Sequence, residues 1–186
     1  MNQKHEFPDQ VSKFLTNLRR LESRGDRGAL AALRRGESET LRHLAWPIIR
    51  RCGGSLLGSV VAWTSIGAAF AFYPQPKGQP GDGSNFGATC NALAGQPSKD
   101  GNRSFDPYFL RVLGAESAPE LARWVVHIAK RAKTAKPWPA PINYEELLTA
   151  LLFWDARDGA FRDGCRRRWA TAYWGGLLDD KELTEP

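Results

Sequence analysis

The chain is poor in the side chains that metal and redox chemistry need. Only three histidines occur, His5, His43 and His127, and none stands in a spacing such as H-E-x-x-H that would bring two imidazoles to one ion. The three cysteines, Cys52, Cys90 and Cys165, are odd in number, far apart and never in a C-x-x-C pair. That argues against a disulfide framework and a zinc ribbon, and it is the usage expected in a reducing cytoplasm. The opening residues MNQKHEFPDQ carry neither the apolar run nor the small-residue cleavage site of a secretory signal. No G-x-S-x-G, Walker loop or G-x-G-x-x-G is present, and Gly81-Asp82-Gly83 reads as a turn. No stretch alternates apolar and polar residues as a half-buried strand must, and no segment repeats. Asp155, Asp158 and Asp163 resemble a carboxylate cluster, but Arg157 and Arg162 interleave with them, so local ion pairing is the expected role. No catalytic residue, metal ligand or cofactor is assigned.

One long uncharged run stands out. Cys52–Pro76 contains no charged residue, and the nineteen residues Ser55–Tyr73 could just span a bilayer. They include two Gly, three Ser and one Thr in a chain otherwise of soluble composition. The expectation is therefore a helix enclosed in a bundle, with no membrane partner. With 42% hydrophobic residues, seven Trp and nine Phe in 186 residues, the chain can bury a real core.

Charge is distributed unevenly. Eighteen of the twenty-six basic residues are Arg; residues 1–51 carry eleven Lys/Arg against six Asp/Glu, and residues 103–136 carry seven against three. The remaining segments are neutral or acidic, within a net charge of +6. Arginine is always ionised and offers a planar fork of donors matched to phosphate oxygens, so clustered Arg suggests a polyanionic partner.

Apolar spacing predicts a helix over 9–24, a second over 27–35 capped by Asp26 and closed by Gly36, and a third over 38–51 bent at Pro47. After the uncharged run, Pro74–Gly83 forbids regular structure, and a helix is expected around 85–94. Asp106-Pro107 reads as N-cap and first residue of a short helix, and Ser117-Ala-Pro-Glu120 has capping-box spacing before a long one over 118–135. On that helix Leu121, Trp124, Val125, Ile128 and Ala132 share an apolar arc, while Arg123, His127, Lys130 and Arg131 form a basic one. Such an arc is equally the ordinary solvated face of a surface helix. Asn143 caps a helix with Glu145 and Glu146 in its first turn, and Ala160–Trp174 forms the last. The tryptophans could stack on unpaired bases, but core packing is expected for all except Trp138 in its Pro-rich connector, which stays open. The class is all-α, two small helical bundles packed together, residues 1–95 and 96–186.

The sequence resembles the small subunit, CasB, of the type I-E Cascade complex of CRISPR immunity. The matching pieces are GDRGALAALRRG (25–36), SNFGATCNALA (84–94), YFLRVLGAES with ELARWVVHIAKRA (108–132), NYEELLTALLFWD (143–155) and RRRWATAYW (166–174). The resemblance implies a non-catalytic helical subunit of an RNA-guided antiviral complex, present in two copies. Its basic surface would hold the R-loop, above all the displaced non-target strand, beside the crRNA, the target DNA, the large subunit and the backbone subunits. By motif it points to Arg34, Arg35, Lys77, Arg111, Arg123 and Arg157; Lys130 and Arg131 are added from the helix face. Pro107-Tyr108 stand where the family's pattern has basic residues. The alternative is a stand-alone helical DNA-binding regulator with 118–135 as recognition helix, but that helix has few Asn, Gln or Ser to read bases.

Overall fold

The computed structural model describes residues 3–75, 84–95, 103–134 and 140–178. Among them nine α-helices follow one another: α1 (Gln3–Ser23), α2 (Arg27–Arg35), α3 (Trp46–Cys52), α4 (Val60–Phe72), α5 (Phe86–Ala94), α6 (Asp106–Leu113), α7 (Ala118–Thr134), α8 (Tyr144–Phe153) and α9 (Ala160–Leu178). A short 3₁₀ turn, Arg42–Ala45, precedes α3, and no described residue lies in a strand. The all-α class is the one expected.

Three helix starts are set by local side-chain chemistry, two of them, at Asp26 and Asn143, as the sequence suggests. Asp26 accepts the Ala29 N–H at 2.9 Å, Asn85 that of Ala88 at 3.1 Å and Asn143 that of Glu146 at 3.0 Å, each satisfying a first-turn donor. At α7, Ser117 Oγ accepts the Glu120 N–H at 3.4 Å while the Glu120 carboxylate accepts that of Glu116 at 3.0 Å.

Elsewhere long-range partners change the local reading. The expected bent helix over 38–51 is instead a turn, the 3₁₀ segment and then α3, with Pro47 in the first turn of α3. There its missing N–H has no intrahelical acceptor to lose. Helix α1 starts earlier than expected and runs through Pro8, at the cost of the one bond that Pro8 cannot donate. Asp106 does not cap α6 but lies inside its first turn, accepting the Arg103 N–H (3.0 Å) and the Tyr173 hydroxyl (2.6 Å). Asp155 caps α7 from the α8–α9 connection, accepting the Ala118 N–H at 2.9 Å. The expected pairing within 155–163 is thus replaced: Arg162 pairs with Glu116 at 3.5 Å, Asp163 with Arg166 at 3.4 Å, and Arg157 with none of the three aspartates.

The uncharged run forms the centre. Every residue from Ala62 to Ala71 in α4 is buried, Thr64 and Ser65 included, and α4 is enclosed by α2, α7 and α8. The Thr64 hydroxyl donates to Val60 O at 2.8 Å, so its burial leaves no donor stranded. The α4–α7 contact is the most extensive in the fold, and α5 packs on α9. No described helix is long and apolar enough to cross a membrane. Trp63, Trp154 and Trp169 are fully buried, with Trp63 edge-on to Phe14 and Trp154 stacked on Trp169. Trp46, by contrast, is 40% exposed, and Trp138 lies outside the described residues. All three cysteines are free and buried, and burial pushes the Cys52 thiol up to about 11, so it stays protonated.

The α5–α9 crossing is so close that a Cβ at Gly87 would lie 2.0 Å from the Trp169 carbonyl oxygen, a backbone atom with no way to yield. Gly87→Ala is expected to lower stability by about 2–3 kcal/mol in urea unfolding. Gly28→Ala, whose Cβ would meet only the Asp26 carboxylate at 3.8 Å, should be neutral or stabilising by about 0.5 kcal/mol.

Candidate nucleic-acid interface

Helix α7 divides as its periodicity predicts, with one exception. Leu121, Val125, Ile128 and Ala132 are buried, as are Ala122, Val126 and Ala129, while Arg123, His127, Lys130 and Arg131 are exposed. Trp124, expected on the inner arc, is only partly buried and sits at the margin between the two faces.

The exposed side of α7 is one wall of a cleft of about 760 Å³. Helix α2 and the turn after it form the other wall, and Val61 and Ser65 of α4 reach its floor. Arg34, Arg35 and Arg42 line it from the α2 side and Arg123, Trp124 and His127 from α7. Two basic segments separated by some ninety residues of sequence thus face each other, because α2 and α7 both pack on α4. Arg34 is fixed in place: its Nε donates at 2.8 Å to Ala71 O, one of the last carbonyls of α4 and without an acceptor role inside the helix. One of its five donors thus holds the guanidinium, and the side chain stays exposed on the cleft wall. Two carboxylates also line the cleft. That of Glu120 is drawn back to the Glu116 backbone, and that of Glu37 receives Lys130 Nζ at 2.6 Å on each oxygen.

The remaining residues singled out from sequence are spread around this cleft. Arg111 lines an adjoining cleft of about 420 Å³ that shares Glu120 and Trp124 with the first. Lys130, at the edge, is bound to Glu37 and lies 4.4 Å from the centre of the Phe72 ring. Arg131 covers the rings of Phe105 and Tyr108 at 5.2 and 5.0 Å. Arg157 is exposed on the α8–α9 connection and lines neither cleft. Lys77 lies outside the described residues. The structure therefore brings together Arg34, Arg35 and Arg123, sets Arg111 next to them, and places Arg131 and Arg157 apart. Sequence reasoning missed Arg42, whose Nε is buried without a protein partner, because residues 38–51 read as one helix with no wall to belong to.

Three comparisons place the chain. The family model of the CRISPR-associated protein Cse2 matches residues 29–174. TTHB189, a CRISPR-associated protein of the Cse2 family from Thermus thermophilus, has the same fold with a TM-score of 0.64 and 21% identity, covering 89% of this chain and 97% of that one. M. ruber CasB gives 0.63 and 18%, over 91% and 97%. No curated protein matches the sequence. Since the family model spans most of the chain, the chain belongs to the Cse2 family, the CasB-type small subunits of type I-E Cascade.

His127 makes this wall sensitive to pH. Although its side chain is exposed, partial desolvation on the cleft wall, then the charges of Arg131 and Lys130, lower its pKa against a weaker upward pull from Glu37, so the imidazole is neutral at pH 7. The unfolded chain takes up this proton more readily than the folded one, so stability falls as pH drops through about 6.5. Between pH 7.5 and 5.5 the wild type should lose more stability in urea unfolding than His127→Gln does, the difference between the two slopes being the contribution of His127.

Proposed function

We propose that this Cse2-family chain acts in Cascade as a non-catalytic subunit whose α2–α7 cleft holds nucleic acid by its phosphates, without reading sequence. In the assembled crRNA-guided complex it would steady the R-loop and the displaced non-target strand of the target DNA. The observation that carries this reading is the convergence of Arg34, Arg35, Arg42 and Arg123 on one cleft. Each guanidinium can meet a phosphate oxygen pair, and four of one sign at close quarters repel one another unless a polyanion is present. No Asn or Gln stands among the described residues lining the cleft, so the bidentate amide contact that reads adenine is missing from it. That suits a machine in which guide pairing reads the sequence and protein contacts follow the backbone.

From the family we further infer contacts with the large subunit, the backbone subunits and a second copy of the chain, in the cytoplasm. The regulator reading fares less well. A recognition helix must present a free face to the major groove. The basic face of α7 is instead the wall of a cleft, opposed by α2.

Binding of a fluorescent non-specific single strand, followed against salt, tests the proposal. Removing one phosphate contact should reduce the salt slope by about 0.7. Arg34→Ala and Arg123→Ala should each do so, while Lys130→Ala has a smaller effect because Glu37 already neutralises the ammonium. Glu37→Gln, which releases that ammonium and removes a negative charge from the cleft, should tighten binding. Affinity unchanged in Arg34→Ala/Arg123→Ala but lost in Arg167→Ala/Arg168→Ala would move the site to α9 and overturn the assignment of the cleft.

A further inference from the structure

We propose that Trp124 is a base-stacking platform that makes the cleft selective for an unpaired nucleic-acid strand over a duplex or a bare polyanion. The inference rests on the phosphate-binding reading of the cleft and adds the ligand's chemical class. Trp124 lies on the ridge between the two adjoining clefts and lines both. Arginines stand on either side of it: Arg34, Arg35, Arg42 and Arg123 in the larger cleft, Arg111 in the smaller. A strand whose phosphates engage both groups passes the stretch of α7 that carries Trp124 and Glu120, the two residues the clefts share.

The ring is set for such contact. Although Trp124 packs against the core, it is incompletely buried, unlike Trp63, Trp154 and Trp169. Its aromatic neighbours meet it at an angle. Tyr108 lies 6.5 Å away at an interplanar angle of 79° and His127 6.0 Å away at 89°. Neither ring lies parallel to the indole, so neither stacks on it as a base would. A ring already fixed loses little freedom on binding, and an indole offers a wide π-surface to any base. Stacking of this kind is sequence-tolerant, in keeping with a complex whose guide pairing reads the sequence. A duplex, whose bases are already stacked inside, has no such face to give. Neighbouring Leu110, 56% exposed and lining the smaller cleft, adds apolar surface for an unpaired base.

The test separates base from phosphate. Two twelve-nucleotide strands with equal numbers of phosphates, one oligo-dA and one made of abasic sugar-phosphate units, are titrated against wild type, Trp124→Phe and Trp124→Leu at one salt concentration. Matching ribose strands distinguish DNA from RNA as the source. Wild type is expected to prefer the base-bearing strand by about fivefold or more. Trp124→Phe should keep most of that preference, and Trp124→Leu should lose it without weakening abasic binding. A contrast in either sugar series supports the proposal, and the larger one identifies the strand. The wild-type contrast needs no variant, so a poorly folded Trp124→Leu leaves the test standing. Equal affinity for the two strands in wild type overturns the platform, as does a preference that Trp124→Leu retains. If binding still depends on Arg34 and Arg123 in those cases, the phosphate reading survives and this inference alone fails; if wild type binds no strand at all, both fall.

Discussion

Everything else in this structure is arranged around a helix that water cannot be allowed to reach. From Cys52 to Pro76 the sequence has no charge, and α4, formed from that run, is buried on every side over ten successive residues. A helix apolar all round gains its hydrophobic stabilisation only when surrounded, and α2, α7 and α8 supply that enclosure. Small residues permit the close approach: a Cβ at Gly67 would stand 2.9 Å from Ile49 and 3.0 Å from Leu33. Enclosure also leaves the last carbonyls of α4 in need of donors. Tyr73 N–H returns to Ala69 O, the Tyr144 hydroxyl reaches Tyr73 O at 2.6 Å, and Arg34 reaches Ala71 O. The cleft follows from this, since two of the helices that cover α4, α2 and α7, carry its basic walls.

The charge arrangement in the cleft is costly to the isolated fold and useful to a bound one. Like charges held on facing helices raise the energy of the folded chain. Here Glu37 offsets Lys130, and partial desolvation with two neighbouring cations keeps His127 neutral. Arg34, Arg35, Arg42 and Arg123 form no ion pair among the described residues. By contrast, the arginines of α9 nearest Glu116 are tied down: Arg166 meets that carboxylate at 2.9 Å and Arg162 at 3.5 Å. The cleft arginines are thus uncommitted while these two of α9 are held, a difference that residue counts do not reveal.

Much of this was legible in the sequence where local chemistry decides. The caps at Asp26 and Asn143, the two faces of α7 and the burial of the uncharged run all follow from spacing and side-chain type. Reading failed where a distant partner displaced the local one. Asp106 serves Tyr173 and Arg103, and Asp155 caps a helix thirty-seven residues earlier. Pro47, read as a bend, starts α3. At the site, the sequence supplied Arg34, Arg35 and Arg123 but not their meeting, which depends on α4. It could not show that Lys130 is held by Glu37, that Arg131 lies over two aromatic rings, or that Arg42 and a partly buried Trp124 belong to the same cleft.

The central claim is spatial: nucleic acid lies between α2 and α7. Photo-crosslinking with a strand carrying thio-substituted bases, followed by peptide mapping, tests it most directly. The account predicts crosslinks confined to peptides from residues 27–42, 106–114 and 118–134. Crosslinks falling instead on α9, or scattered without regard to the cleft, would contradict it.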